Sequence, residues 1–163
     1  MVDKLIDYFA YGSNLSTEQM KSRGVKVYGS QKAELPGWRL VFTEYSDTWE
    51  GGVADIVYVG KDEKVEGVVY KIDEDGVSSL DRYEGRGIED GREVGMYRKH
   101  YLPVKLETGW QTVLTYVMNR TPEYNRKTHI EPSEGYVNTM LDGLKEHGAS
   151  EGYMEKIEKI RKR

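Results

Sequence analysis

The sequence contains no cysteine in its 163 residues. This absence excludes a disulfide framework, a thiolate metal site and a cysteine nucleophile. Long apolar runs are missing as well. No run approaches the ~18 residues of a membrane-spanning helix, and the N-terminal stretch MVDKLIDYF lacks the apolar core of a signal peptide. We therefore expect a soluble, cytoplasmic protein that makes no membrane contact.

An excess of positive charge is also missing, since 24 Lys and Arg residues stand against 28 Asp and Glu, for a formal net charge of −4. This balance argues against nucleic acid as a partner. The three histidines, His100, His129 and His147, show no metal-ligand spacing, and Ser13 has no evident histidine partner. No phosphate-binding glycine loop follows a strand. If the protein is an enzyme, we expect it to work without a metal, a nucleotide or any other cofactor, and without a covalent intermediate.

Six segments have the composition of β-strands, because they are rich in Val, Ile, Tyr and Phe and are bounded by Gly, Pro, Asp or Asn. They are LIDYFAY, WRLVFTEY, GVADIVYVG, VEGVVYKI, MYRKHYLPVKL and WQTVLTYVM. Several alternate between apolar and polar residues, which is typical of strands with one buried face. No repeat or linker divides the chain. We therefore expect one domain over residues 1–163, with six strands in a compact sheet or small barrel.

Helix signals are fewer, and they dominate only in the last third of the chain. Capping residues mark four helix starts, at Ser16, Asp73, Ser133 and Ser150, and glycines mark three helix ends, at Gly24, Gly85 and Gly148. Tyr136, Val137, Met140 and Leu144 recur at helical spacing, which predicts a helix with one buried face. Strands early and helices late indicate an α+β fold.

The first strand runs directly into the turn Tyr11-Gly12-Ser13-Asn14 before a helix begins. Glycine removes the Cβ that would hold a ligand away from the backbone, and the free N–H groups of a helix start favour an anion. The turn therefore predicts a site for a carboxylate or an oxyanion. An ordinary strand-to-helix turn would use the same residues, so the spacing by itself leaves both interpretations open.

A glutamate lies on the apolar face of the helix that precedes Gly85. At about 100° per residue, Val77, Leu80 and Glu84 fall within one narrow stripe. Burial and the negative helix C-terminus both raise a carboxylate's pKa, which would suit a group that takes up and returns a proton. Alternatively, Glu84 pairs with a nearby arginine or is solvated; the arginines within reach are Arg82, Arg86, Arg92 and Arg98. Asp81, at the edge of the stripe, is predicted to be solvated or capping.

Motifs along nearly the whole chain resemble the gamma-glutamylcyclotransferase family. They are, in order, YFAYGSNL, WEGGVADI, VEGVVYKI, SSLDRYEG, GMY and PSEGY followed by GLKEHG. The N-terminal Y-G-S-N turn together with the glutamate of L-D-x-x-E-G is more specific than either motif by itself. The resemblance is strongest to members that act on gamma-glutamyl amino acids, because relatives that act on gamma-glutamyl-amines carry Y-G-T-L at the turn.

The resemblance implies a small mixed β-barrel flanked by helices and a cofactor-free enzyme that releases 5-oxoproline from a gamma-glutamyl compound. Glu84 matches the family's catalytic acid/base. The positions that match the family's substrate pocket are Tyr8, Ala10, Tyr11, Gly12, Ser13, Asn14, Tyr97, Tyr116 and Tyr136. On sequence grounds, each of the last three tyrosines would more often be a core residue than a ligand-binding one. The charged segment RGIEDGREVG, which follows Glu84, could form a lid.

The implied reaction is an intramolecular aminolysis, in which the substrate's α-amino group attacks its own γ-carbonyl carbon. Glu84 would carry the proton between the two nitrogens, and backbone N–H groups at Gly12 and Ser13 would stabilise the oxyanion. Two alternatives stay open: a cyclotransferase that acts on gamma-glutamyl-amines in a biosynthetic pathway, and a non-catalytic module that binds a metabolite. The partner is a small molecule in each case, and the 13 tyrosines could support a homodimer.

Overall fold

The computed structural model describes residues 4–60, 62–84, 87–89, 92–94, 97–118 and 129–160. The strands are β1 (Ile6–Ala10), β2 (Gly29–Pro36), β3 (Trp38–Ser46), β4 (Gly51–Tyr58), β5 (Lys64–Ile72), β6 (Gly87–Glu89), β7 (Arg92–Val94), β8 (Tyr97–Leu106) and β9 (Gly109–Met118). The helices are α1 (Thr17–Ser22), α2 (Glu74–Tyr83), α3 (Glu134–Glu146) and α4 (Glu151–Ile160), and residues Ser13–Leu15 form a single 3₁₀ turn. None of the helices so described is long and apolar enough to cross a membrane.

Five strands close into a barrel in the order β1-β5-β2-β8-β9. Its pairings are antiparallel except for the parallel contact that closes β1 on β9, where Tyr8 lies opposite Leu114. The hairpins β3–β4 and β6–β7 form separate two-stranded sheets. The α+β fold with a small mixed barrel and flanking helices, implied by the family resemblance, is confirmed.

The predicted helix starts are confirmed by their capping hydrogen bonds. Each capping side chain, on Ser16, Asp73, Ser133 and Ser150, accepts the backbone N–H three residues further on. Such a cap typically stabilises a helix by about 1 kcal/mol. Gly24 and Gly148, past the ends of α1 and α3, have φ of +77° and +78°, a conformation that favours glycine. Helix α2 ends at Tyr83, and Gly85 lies outside the described residues.

Strand β2 has no counterpart in the sequence-based prediction. Its sequence, GSQKAELP, buries only Ala33 and Leu35, and its other residues are exposed or partly exposed. A strand with so few apolar residues gives almost no hydrophobic pattern, and its place between β5 and β8 is set by backbone pairing. The segment predicted as a lid lies partly outside the described residues; the part that is described forms the β6–β7 hairpin.

Helix α3 packs tightly behind the turn that follows β1. A Cβ on Gly143 would collide with the backbone of Leu15 and Ser16, so only glycine allows the two elements to lie this close. On the other side, the Tyr70 hydroxyl donates a 2.8 Å hydrogen bond to the carbonyl of Leu15. Leu15 is itself fully buried in the core. The turn at Ser13–Leu15 is therefore held from two sides by residues far from it in sequence.

Candidate active site

A cavity of about 460 Å³ opens where the end of β1, the β3–β4 hairpin and the end of α2 meet. Its lining is dominated by tyrosines and contains one carboxylate below the surface, that of Glu84. The residues that line it are Tyr8, Tyr11, Gly12, Ser13, Asn14, Arg23, Tyr45, Ser46, Asp47, Thr48, Trp49, Val53, Ala54, Tyr83, Glu84, Tyr97, Tyr116 and Tyr136. Segments that are far apart in the chain thus meet around one space, with Gly12 and Glu84 on the same cavity.

The structure brings together nine of the ten predicted site residues in this lining; the exception is Ala10. Ala10 is buried in strand β1, where it pairs with Val68, and it faces the core. Its neighbour Tyr11 does reach the cavity. The predicted roles of these residues in binding and catalysis remain predictions, but their placement around one space is what those roles require.

Gly12 lies directly beneath the hydroxyl of Tyr136. A Cβ at position 12 would lie 2.7 Å from the Tyr136 oxygen and 3.3 Å from the Cβ of Ala54. These separations are shorter than ordinary van der Waals contact, so a larger residue would displace the ring. The glycine is therefore needed here for close packing against Tyr136.

Tyr136 extends from the first turn of α3 and is held by a backbone amide. The Ala54 N–H donates a 3.0 Å hydrogen bond to its hydroxyl oxygen, and the nearby Ser13 amide lowers the pKa of the same hydroxyl. A phenol oxygen that accepts a hydrogen bond still has its own proton to donate. The role predicted for the Ser13 amide stays a prediction, and Tyr136 adds an O–H beside it.

Burial raises the pKa of Tyr136 to about 12, and the Glu84 charge acts in the same direction, although the two amides oppose this shift. The hydroxyl therefore stays protonated at neutral pH and keeps its donor. Trp49 packs edge-on against the ring with 5.0 Å between centroids, and Phe42 does so at 6.2 Å. These contacts fix the direction in which the hydroxyl points.

Glu84 follows the last residue of α2, and its N–H bonds to the Leu80 carbonyl at 2.8 Å. Its side chain is partly buried and lies on the cavity. Burial raises the pKa of Glu84 to about 7; the Arg23 charge lowers it and the Asp81 charge raises it. A carboxyl group with this pKa exists in both protonation states near neutral pH, as a proton carrier requires.

The arginines expected as partners of Glu84 do not pair with it where the structure describes them. Arg82 donates instead to the Ser79 hydroxyl at 3.2 Å, and Arg98 is exposed on β8. The side chains of Arg86 and Arg92 lie outside the described residues. Arg23, at the end of α1, is the arginine whose charge acts on Glu84.

Asp81 is neither solvated nor a cap, contrary to the sequence-based prediction. It accepts a 2.6 Å hydrogen bond from the Tyr116 hydroxyl and forms a 3.0 Å ion pair with Lys99. The prediction failed because both partners come from the β8–β9 hairpin, which no helical pattern in α2 could indicate. Asp81 is therefore a charged group held just behind Glu84.

Three further tyrosines of the wall, Tyr8, Tyr11 and Tyr97, are fixed by hydrogen bonds to the protein. The Tyr11 hydroxyl donates to the Tyr116 carbonyl at 2.5 Å, and the Tyr97 hydroxyl donates to the Ala54 carbonyl at 2.8 Å. The Tyr8 hydroxyl instead accepts from the Asn14 side chain at 3.0 Å. Burial and the Glu84 charge raise the pKa of Tyr8 well above its ordinary value, so its O–H also remains a donor.

Sequence reasoning missed Arg23 and the segment Tyr45–Trp49. Arg23 follows α1 between Lys21 and Lys26 with no pattern that sets it apart, and only its tertiary contact with Tyr83, at the end of α2, indicates its place at the cavity. The segment Tyr45–Trp49 covers the end of β3 and the turn toward β4. Tyr45 ends a predicted strand and Trp49 begins the motif WEGGVADI, but neither pattern indicated a place at the site. Among the described residues, no cluster of three or more His, Asp or Glu side chains could hold a metal ion.

Comparisons with known proteins agree with the geometry. The family model described as "Gamma-glutamyl cyclotransferase, AIG2-like" matches residues 8–138. The chain is 34% identical over 158 residues to "Gamma-glutamylcyclotransferase" of Homo sapiens and 32% identical over 157 residues to that of Bos taurus, covering 94% of this chain and 77% of each relative. A solved structure named "Gamma-glutamyl cyclotransferase" superposes with a TM-score of 0.78 at 30% identity, over 95% of this chain and 87% of that one. The chain belongs to the gamma-glutamyl cyclotransferase, AIG2-like family.

Proposed function

We propose that this protein converts a gamma-glutamyl amino acid or dipeptide into 5-oxoproline and the free amine by intramolecular aminolysis, with Glu84 as general acid/base. The general activity follows from the family, since curated relatives carry the name gamma-glutamylcyclotransferase. The observation that supports the mechanism is the placement of Glu84, with its pKa of about 7, on the same cavity as Gly12 and Tyr136.

The reaction needs a base because the substrate's α-amino group is an ammonium ion at neutral pH. Ionised Glu84 attracts this ammonium and accepts one of its protons as the nitrogen attacks the γ-carbonyl carbon. The new N–C bond closes the five-membered lactam. Glu84 then returns the proton to the nitrogen of the breaking amide bond, and the amine leaves as the carbonyl re-forms. Both nitrogens are attached to the same carbon at that stage, so one carboxyl group can serve both transfers. The ionised carboxylate takes up the second proton of the ring nitrogen, which leaves the neutral lactam N–H, and releases that proton to the departed amine or to solvent.

Negative charge develops on the γ-carbonyl oxygen when the α-nitrogen attacks. We assign the Tyr136 O–H, which the Ala54 amide holds in place, as the donor to this oxyanion. A single preorganised donor of this kind typically contributes about 3 kcal/mol to transition-state stabilisation. Gly12 allows the Tyr136 hydroxyl to pack closely against the turn, which fixes the donor at the cavity wall.

The cavity also holds the substrate in the folded conformation that cyclisation requires. The fixed tyrosines of the wall restrict the glutamyl chain, and such orientation can lower a barrier by several kcal/mol. With proton transfer and oxyanion stabilisation assigned to side chains, the scheme requires no cofactor.

The proposal is tested by incubating the purified protein with a panel of gamma-glutamyl amino acids, gamma-glutamyl-amines and their N-acetylated forms, with mass detection of 5-oxoproline. We expect lactam from the gamma-glutamyl amino acids and none from N-acetylated substrate, because acetylation removes the attacking amine. Glutamate released from the acetylated compound would instead reveal an amidohydrolase that uses water. Binding without lactam formation would indicate a metabolite-binding module, and turnover confined to gamma-glutamyl-amines would indicate the biosynthetic alternative.

A further inference from the structure

Arg23 is the one positively charged side chain among the described residues that line the cavity. Its position is fixed by the end of α1, where its N–H bonds to the carbonyl of Gln19 at 3.1 Å and Gly24 turns the chain away. Its side chain is only partly exposed. Charged groups lose solvation free energy when they are partly buried. A cation at this cavity therefore needs a role other than keeping the protein soluble.

Two contacts orient the guanidinium and leave donors unused. Nη1 donates to Oδ1 of Asn14 at 3.0 Å, and the guanidinium carbon lies 5.0 Å from the centroid of the Tyr83 ring. A guanidinium has five N–H donors, and stacking on a ring leaves its edge accessible for a planar carboxylate. Glu84 does not take this place, since no ion pair joins it to Arg23 in the described part of the chain.

Arg23 lies at the open side of the cavity. Its stacking partner Tyr83 is 53% exposed, and Asp47 and Thr48 of the rim are exposed as well. Tyr136 and Ala54, which also line the cavity, form a buried end of it. The glutamyl part of the substrate must reach the buried end for cyclisation, so the departing group extends toward the opening.

We infer that Arg23 binds a carboxylate on the departing group, so the enzyme selects gamma-glutamyl amino acids, whose departing group carries a carboxylate, over gamma-glutamyl-amines, whose departing group does not. The inference rests on the proposed function and specifies its substrate class. The carboxylate of the departing group would otherwise enter the cavity near the Glu84 carboxylate, which is also negative. Arg23 offsets that repulsion. A bidentate contact between arginine and carboxylate supplies both charge and orientation.

The test compares gamma-glutamyl-alanine with gamma-glutamyl-alaninamide, which has nearly the same shape but a neutral end. For the wild-type enzyme we expect kcat/KM for lactam release to favour the carboxylate by about 10- to 100-fold, the range of a charge-assisted hydrogen bond. In Arg23→Gln the ratio of the two kcat/KM values should fall to near unity, because kcat/KM decreases for gamma-glutamyl-alanine and stays the same for the amide. Arg23→Lys should retain part of the preference, because lysine keeps the charge but not the bidentate geometry.

The matched control is Lys21→Gln, which removes an exposed cation two residues away and should leave the preference unchanged. Equal loss on both substrates in Arg23→Gln would overturn the inference, since Arg23 would then serve the glutamyl part. Equal kcat/KM of the wild-type enzyme for the two substrates would also overturn the inference. This measurement needs no variant, so it holds even if Arg23→Gln does not fold. No lactam from either substrate would overturn the proposed function and this inference with it.

Discussion

The hydroxyl of Tyr116 donates a 2.6 Å hydrogen bond to Oδ1 of Asp81, three residues before Glu84 at the end of the same helix. Lys99 holds the other carboxylate oxygen at 3.0 Å. Asp81 is thereby fixed as a negative charge close enough to raise the pKa of Glu84. The β8–β9 hairpin, which supplies both partners, therefore influences the proton affinity of the proposed general base through Asp81.

Replacing Asp81 by Asn should shift the pH dependence of activity to lower pH. In the wild-type enzyme we expect kcat/KM to rise as pH increases through about 7, because Glu84 must be ionised to accept a proton. Removal of the Asp81 charge favours ionised Glu84, so the rising limb should move down by roughly half a unit to one unit. The measurement is a pH profile of lactam release. Asp75→Asn, an exposed position on the same helix, serves as the control, and an unshifted limb in Asp81→Asn would contradict the coupling.

Glu84→Gln should abolish turnover while leaving the fold intact. Glutamine has nearly the same shape but cannot accept the ammonium proton, and a positioned acid/base typically contributes about 10²- to 10⁴-fold. The measurement is kcat for 5-oxoproline release, with circular dichroism to verify folding. Glu74→Gln, at the exposed start of α2, removes a carboxylate from the same helix and should retain full activity. Near wild-type kcat in Glu84→Gln would eliminate Glu84 as the proton carrier.

The same substitution should make the protein more stable above neutral pH. The pKa of Glu84 rises from 4.5 to about 7 on folding, so the folded state holds its proton more tightly than the unfolded chain. This group's contribution to the free energy of unfolding therefore falls as pH increases from 4.5 to 7 and is constant above that. Glutamine does not ionise, so the Glu84→Gln variant does not lose this contribution. Its free energy of unfolding therefore gains on that of the wild type over this range, by at most about 3 kcal/mol. Urea denaturation of both proteins at pH 5 and pH 8 measures it; a difference independent of pH would contradict the raised pKa.

Gly12→Ala should impair both stability and turnover by displacing Tyr136. The new Cβ would lie 2.7 Å from the Tyr136 oxygen, and the ring cannot move freely because Trp49 and Phe42 pack against it. We expect a loss of about 1–3 kcal/mol of stability, the usual range for overpacking. The double variant Gly12→Ala/Tyr136→Phe removes the clashing oxygen, so its melting temperature should exceed the additive value of the single variants.

The same three variants distinguish the effect of the Tyr136 hydroxyl on catalysis from its effect on stability. Tyr136→Phe by itself should lower kcat by about 10²-fold or more, as expected for loss of one donor. The double variant should therefore recover stability without recovering activity. Recovery of kcat together with stability would show that the hydroxyl is not needed for the reaction.

Local sequence patterns were sufficient for the helices and for the position of Glu84. The caps at Ser16, Asp73, Ser133 and Ser150 depend on contacts within three residues, and the stripe of Val77, Leu80 and Glu84 depends only on helical geometry. Strand β2 was missed because its polar sequence carries no periodic apolar signal. The closed barrel came from the family resemblance, since strand order depends on pairings between distant segments.

The sequence by itself determined which residues have the chemistry: a glycine-containing turn after the first strand, and a carboxylate on the apolar face of α2. Tertiary structure decided what surrounds them. Tyr136 occupies the space above Gly12 because α3 packs behind the turn through Gly143. Arg23 and Asp81 act on Glu84 with opposite sign because α1 and α2 bring their charges near it. Charge and desolvation act through space, and distances in space between segments far apart in the chain are fixed only when the barrel closes.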